Sequence, residues 1–311
     1  MKTFVSGALA YDRILYFKGH FKEHFLVEKV HALSVSFDIA TIDESFGGTG
    51  GNIAYTLKLL GGNPLLFGSV GDDYEKYAQW LATNNISDEY VIRVPNSLTS
   101  QAHIMTDRDN NQITGFHQGA GAEPYTKEIP VDTESIAIVA PAHPKNMLQF
   151  SKHYQESGMK YIFDPGQQVP TFSKEDFATC VEHAWIFVAN DYEMSLSLSK
   201  LGFSEEELHN KIPVVITTLG DSGSVVYTEG KRYDIGVAPA DTVQDPTGAG
   251  DAYRAGLAIG LQNGLSIDSA ARLAATTASY AIEQQGTQNH RFTIPEVLAR
   301  HKKSFGEEIS L

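Results

Sequence analysis

The chain has 311 residues, 42% of them hydrophobic and 20% charged, with a formal net charge of −14. That length supports one large core or a core with a small appendage, and the acidic balance opposes nucleic-acid and anionic-membrane partners. No apolar run approaches the roughly 20 residues of a membrane span.

The start, Met1-Lys2-Thr3-Phe4-Val5, has no signal-peptide h-region and predicts a cytoplasmic protein. A short apolar run, residues 3–9, ends near Gly7 and is followed by Tyr11 and Asp12. An acidic residue just beyond the carboxyl end of a buried strand can face the ligand crevice of an open α/β sheet; the alternative is a solvated turn aspartate. His20, His24 and His31 match no common metal-ligand spacing. Residues 33–39, Leu-Ser-Val-Ser-Phe-Asp-Ile, alternate at period two and predict a strand with one open face. Phe46-Gly47-Gly48-Thr49-Gly50-Gly51-Asn52 then runs into a helix over 53–60, stopped by Gly61-Gly62. Its glycines would let a bulky ligand lie against bare backbone, and Asn52 offers a donor and an acceptor. The turn lacks the Gly-Lys-Ser/Thr ending of a Walker loop.

A strand over 64–70 and a helix around 74–84 repeat the rhythm, which breaks between Ser97 and His117. There, two alternating runs flank Asp109-Asn110-Asn111, predicting a β-hairpin that would join the Leu33 strand in a small second sheet. Apolar strands follow at 136–140, 161–163, 185–188 and 214–216, separated by helices, which predicts a mainly parallel sheet covered on both faces. The only cysteine, Cys180, excludes an intrachain disulfide and reads as an inert packed thiol. Three of these strands end in polar groups: Asp164-Pro165-Gly166-Gln167-Gln168, Asn190-Asp191-Tyr192-Glu193 and Thr217-Thr218-Leu219-Gly220. They either cap helices or converge on one ligand-facing edge.

The stretch Asp245-Pro246-Thr247-Gly248-Ala249-Gly250-Asp251 leads into a helix with small residues at Ala252, Ala255, Gly256 and Gly260, a face able to press closely on a neighbour. The N–H groups of Gly248, Ala249 and Gly250 suit an anion. A carboxylate beside such a cradle repels phosphate unless it is needed to accept a proton. Asp251 therefore reads as a base that deprotonates a hydroxyl while the cradle meets charge on a transferring phosphoryl group. The alternative is an aspartate offsetting the helix macrodipole, worth about 0.3–1 kcal/mol.

Gly47-Gly48 with Asn52, Asn190-x-x-Glu193, and Asp245 to Asp251 resemble, in order and over essentially the whole chain, the signatures of the ribokinase (PfkB) family of small-molecule kinases. The resemblance implies an α/β fold: one ribokinase-like, doubly wound three-layer α/β/α domain over 1–311, with a small β-sheet lid that residues 14–45 and 97–117 would supply. It implies Asp251 as catalytic base and Gly248, Ala249 and Gly250 as anion hole. Asp12, Gly47, Gly48 and Asn52 would hold the substrate ribose, and Asn190, Thr218 and Gly220 would join Gly248 and Gly250 at ATP. Glu193 would meet Mg2+ through water, and Asp245 and Thr247 a monovalent cation such as K+. Within the family, residues 34–37, 164–168, 190–193 and 286–288 resemble bacterial adenosine kinases of the actinobacterial type. That implies Ser36, Phe116, Gln167 and Gln168 around the nucleoside, although Ala8 and Ala102 stand where that group carries a serine and a phenylalanine. The expected reaction moves the ATP γ-phosphoryl group to the 5′-hydroxyl of adenosine, in purine salvage, by a homodimer joined through the lid. The alternatives are a kinase acting on ribose or another furanose and a non-catalytic nucleoside sensor.

Overall fold

Strands that are apolar along their whole length need cover on both faces, and the order of elements supplies it. The computed structural model describes residues 1–25, 34–109 and 111–311. Its strands are β1 (Thr3–Ser6), β2 (Ala10–Phe17), β3 (Ile39–Gly47), β4 (Pro64–Val70), β5 (Val91–Arg93), β6 (Ser100–Thr106), β7 (Gln112–His117), β8 (Ile136–Val139), β9 (Lys160–Phe163), β10 (Ile186–Asn190), β11 (Val214–Thr218), β12 (Ser224–Thr228) and β13 (Lys231–Ile235). Its α-helices are α1 (Thr49–Leu59), α2 (Glu75–Thr83), α3 (Pro144–Glu156), α4 (Lys174–Glu182), α5 (Asp191–Leu201), α6 (Glu205–Lys211), α7 (Ala249–Gln262), α8 (Ile267–Ala281) and α9 (Ile294–Phe305).

The large sheet runs β13-β12-β11-β10-β9-β8-β1-β4-β5. It is parallel from β11 to β5, and β12 and β13 add antiparallel at one edge. Alternate residues of one strand feed different cores. Val5, Ile138, Ile162 and Val188 pack with α1, α2, α7, α8 and α9, while Phe4, Ala137, Tyr161 and Phe187 pack with α3, α4, α5 and α6. The result is the three-layer, doubly wound arrangement expected. The small-residue face of α7 meets α8 closely: a Cβ on Gly256 would lie 2.8 Å from the Ala274 Cα, and one on Gly260 2.9 Å from the Ala270 Cα. Cys180 is fully buried, and burial pushes its thiol up to about 12, consistent with an unreactive packed group. Among the described residues, no helix is long and apolar enough to cross a membrane.

A second sheet, β3-β2-β6-β7, stands beside the first. Two expectations are corrected here. The strand placed over 33–39 begins instead at Ile39, with no regular structure over 34–38; Leu33 and His31 lie outside the described residues. Phe37 packs on Phe17, Phe21 and His24, with ring centroids 5.0, 5.2 and 5.2 Å apart. Residues 40–44 of β3 are exposed on both faces, so no polarity alternation marks the true strand. Asp12 lies within β2, paired with Ser45 and Ala102, rather than in a turn after β1.

Candidate active site

β1 sends the chain to β4 on one side and is flanked by β8, reached later, on the other. An open α/β sheet has its crevice beyond the carboxyl ends of the strands at such a reversal. A cavity of about 500 Å³ opens there. Ser6, Gly7 and Ala8 line it from the end of β1, Ala140 and Pro141 from the end of β8, and Asp12, Ala102 and Phe116 from the small sheet. A second cleft, of about 730 Å³, is lined by Asp164, Asn190, Glu193, Thr218, Gly220, Gly248, Ala249, Gly250 and Arg254. Asp251 and Gln167 line both, so the carboxylate singled out from the sequence sits where the two spaces meet.

Two turns hold Asp251 in place. Gly248 adopts φ +83°, a left-handed conformation that costs a residue with a Cβ, and starts α7 against Thr287. From the opposite side, Asn52 Nδ2 donates to Asp251 Oδ2 at 2.8 Å. Burial pushes the Asp251 carboxyl up to about 7, against the Asn52 hydrogen bond; the charges of Asp164 and Asp12 raise it further and Arg254 opposes them. Asp12 is likewise raised, to about 6, by burial and then by Asp245. Its carboxylate occupies the space that a Cβ on Gly47 would fill.

The glycines at the start of α1 also answer to packing within the chain. Gly48 lines the first cavity, but a Cβ on it would stand 2.6 Å from the Ala8 carbonyl oxygen. One on Gly50 would stand 2.9 Å from the Gly7 carbonyl carbon, and one on Gly51 would strike the Tyr77 hydroxyl. The start of α1 is pressed so tightly onto the end of β1 that side chains do not fit.

Asn190 and Glu193 form a reciprocal cap on α5. Glu193 N–H donates to Asn190 Oδ1 at 2.8 Å and Asn190 N–H to Glu193 Oε2 at 3.0 Å. Both also line the second cleft, so capping and ligand-facing roles coincide. Asp245 accepts from the N–H of Thr247 at 2.9 Å and of Gly286 at 3.0 Å, tying the turn before α7 to the segment after α8. Gln167 and Gln168 stand in a 3₁₀ turn, Gly166–Thr171, and both line the first cavity. Gln168 Oε1 also accepts from the Thr171 hydroxyl at 3.0 Å. Phe116 is 51% exposed while lining the cavity. Ser36 is not brought to the site: it is exposed and lines neither space, because the segment it was assigned to is not a strand.

Two features went unread in the sequence. Arg254 and Asp164, each 4% exposed, form an ion pair with Nε to Oδ2 at 2.7 Å, and Arg254 Nη1 donates to the Gly250 carbonyl at 3.1 Å. A charged residue amid the small apolar face of α7 was the available signal. Gln288, 2% exposed, bonds Asn52 from behind. Residues 286–288 enter the sequence reading only through the family resemblance, with no role assigned to Gln288.

The pfkB family carbohydrate kinase model matches residues 7–293. The structure of Burkholderia thailandensis nucleoside kinase in complex with inosine is 36% identical, covers 98% of this chain and 99% of that chain, and superposes with a TM-score of 0.85. The same enzyme has also been solved in complex with ADP-inosine. The nucleoside kinase of Methanocaldococcus jannaschii is 32% identical over 90% of this chain and 93% of its own length, and its crystal structure superposes with a TM-score of 0.87. The ribokinase of Bacillus subtilis is 27% identical over 81% of this chain and 86% of its own length.

Proposed function

The chain belongs to the pfkB family of carbohydrate kinases, a ribokinase-like phosphotransferase with an alcohol acceptor, and from that premise we propose that it phosphorylates the 5′-hydroxyl of purine nucleosides, adenosine among them, using Mg-ATP. The observation that carries the reading is the position of Asp251, among the described residues the one carboxylate lining both the cavity bordered by the small sheet and the second cleft. Gln167 and Gln168 supply amides suited to a base edge, and Phe116 a stacking face, for which a free sugar has no use. The inosine complexes of the Burkholderia relative support the same class of acceptor.

In this reading Asp12 holds the ribose and the 5′-hydroxyl faces Asp251. As the hydroxyl oxygen bonds to the γ-phosphorus, its proton passes to Asp251, the bond to the β-phosphate oxygen breaks, and ADP leaves. The N–H groups of Gly248, Ala249 and Gly250 meet the charge that develops. The hard oxygen of Glu193 fits Mg2+ held mainly by the ATP phosphates and bound to the protein through water, where the ion would neutralise phosphate charge. Oxygen atoms of Asp245 and Thr247 would suit K+. The small sheet would act as a lid that excludes water. Its outer strands expose Ile42 and Ile113, at 62% and 42%, which a homodimer through the lid would cover. In this reading the reaction would serve purine salvage in the cytoplasm.

Release of ADP at fixed Mg-ATP, measured with adenosine, inosine, guanosine, cytidine, ribose and fructose, tests the assignment. Purine nucleosides should lead in kcat/KM. Discrimination among them should be weak, because Ala102 removes one aromatic wall, worth about 1–3 kcal/mol of stacking per base. Preference for a free sugar would overturn the nucleoside reading, and absence of ADP formation with every one of these acceptors would favour a sensor.

The raised carboxyl sets a pH dependence. A base is competent only when ionised, so kcat/KM, which reports the free enzyme, should climb with pH up to about 7, where half of Asp251 is ionised, and level off above it. A profile flat down to pH ~5, near the ordinary carboxylate range, would mean that Asp251 does not take the proton.

A further inference from the structure

Behind the base lies a chain of side chains, buried at Asn52, Tyr77 and Gln288 and half-buried at Trp80, whose hydrogen-bond polarity is settled at both ends. Trp80 Nε1–H, which can only donate, donates to Gln288 Oε1 at 2.8 Å. The Gln288 amide nitrogen must then face the other way, and Nε2 donates to Asn52 Oδ1 at 3.0 Å and to the Tyr77 hydroxyl at 2.8 Å. The Tyr77 hydroxyl in turn donates to the Gly47 carbonyl at 2.8 Å. With Oδ1 of Asn52 occupied, Nδ2 is left for Asp251 Oδ2. Every donor finds an acceptor in this order, and reversing any amide would set two donors or two acceptors together. Gly51 leaves the room: a Cβ there would strike the Tyr77 hydroxyl and stand 2.9 Å from Gln288 Nε2.

We propose that Gln288 is a positioning residue for catalysis, locking Asn52 in the one amide orientation that presents a donor to Asp251. This rests on the reading of Asp251 as the base. If Asn52 were free to turn, its carbonyl oxygen could face the carboxylate, replacing a hydrogen bond to the ionised form by repulsion. The other charged groups acting on Asp251 are Asp164 at the end of β9, Asp12 on β2 and Arg254 on α7, and none of them contacts Gln288 by a hydrogen bond or ion pair among the described residues.

The test compares wild type, Gln288→Met and Trp80→Phe in the full chain. Loss of the lock should move the acid limb of kcat/KM upward by about one pH unit in Gln288→Met, so that activity on the limb falls about tenfold while the alkaline plateau falls much less. Trp80→Phe, which keeps an aromatic ring against Phe46 and Tyr55 but removes the donor that orients Gln288, should move the limb the same way by less. In the free protein, the Asp251 carboxyl carbon, identified in NMR spectra by its loss in Asp251→Asn, should titrate at correspondingly higher pH in both variants. This second measurement needs no substrate, so it decides the role of Gln288 even if the nucleoside assignment fails. An equal fall at every pH with an unmoved carboxyl titration would overturn the proposal and leave Gln288 as packing. If Gln288→Met does not fold, an unmoved limb and titration in Trp80→Phe would overturn it as well.

Discussion

Asp251→Asn is expected to lower kcat by about 10²–10⁴, the range typical when a general base is lost. The amide keeps the size of the carboxylate and can still accept from Asn52 Nδ2, which lies 2.8 Å away, but it cannot take the hydroxyl proton. The N–H groups of the turn before α7 are untouched, so ATP should bind as before, as calorimetry on the nucleoside-free protein would show. Turnover within a few-fold of wild type would reduce Asp251 to a helix-start residue. Stability offers an independent check. The folded carboxyl, at about 7, lies above the ordinary 3.8, so its ionisation opposes folding. That cost is absent below the unfolded value, grows as the pH rises, and is complete above the folded value. The variant should therefore be no less stable than wild type at pH ~8, in contrast to the usual loss on removing a buried group's partner.

Arg254→Met is expected to destabilise the fold by about 3–5 kcal/mol, the cost of breaking a buried ion pair from one side. Asp164, 4% exposed, would lose its cation close to Glu193 and Asp251, whose carboxyl pKa values its negative charge already pushes up. The Gly250 carbonyl would also lose the Arg254 Nη1 donor. Urea unfolding should show the midpoint fall with little change in slope. The double variant Asp164→Asn with Arg254→Met should recover much of the loss, because the uncompensated charge is gone. A single-variant effect below about 1 kcal/mol, the scale of a surface ion pair, would show that water reaches the site.

The parallel sheet was legible because each strand carries its own signal. β1, β4 and β8 are buried at every position, and continuous apolar runs separated by helices have few other solutions. Asp251 was legible for a related reason: the cradle and the carboxylate are neighbours in sequence, so their electrostatic incompatibility can be read in one stretch. β3 was not. Its central residues are exposed on both faces, its place comes from backbone pairing with β2, and the alternation that resembled a strand lay just before it.

The sequence by itself thus determined those features that depend on short-range periodicity or on chemistry packed into one turn: the layered α/β class, the glycine-rich turns and the carboxylate that stands beside one of them. Tertiary structure alone decided what each buried polar group answers to. Asn52 meets Asp251 across 199 residues and Gln288 across 236, and Asp164 meets Arg254 from the end of another strand. A buried donor or charge is satisfied by whichever partner the folded chain brings within hydrogen-bond reach, and that proximity arises only when β1, α1 and α7 converge on one end of the sheet.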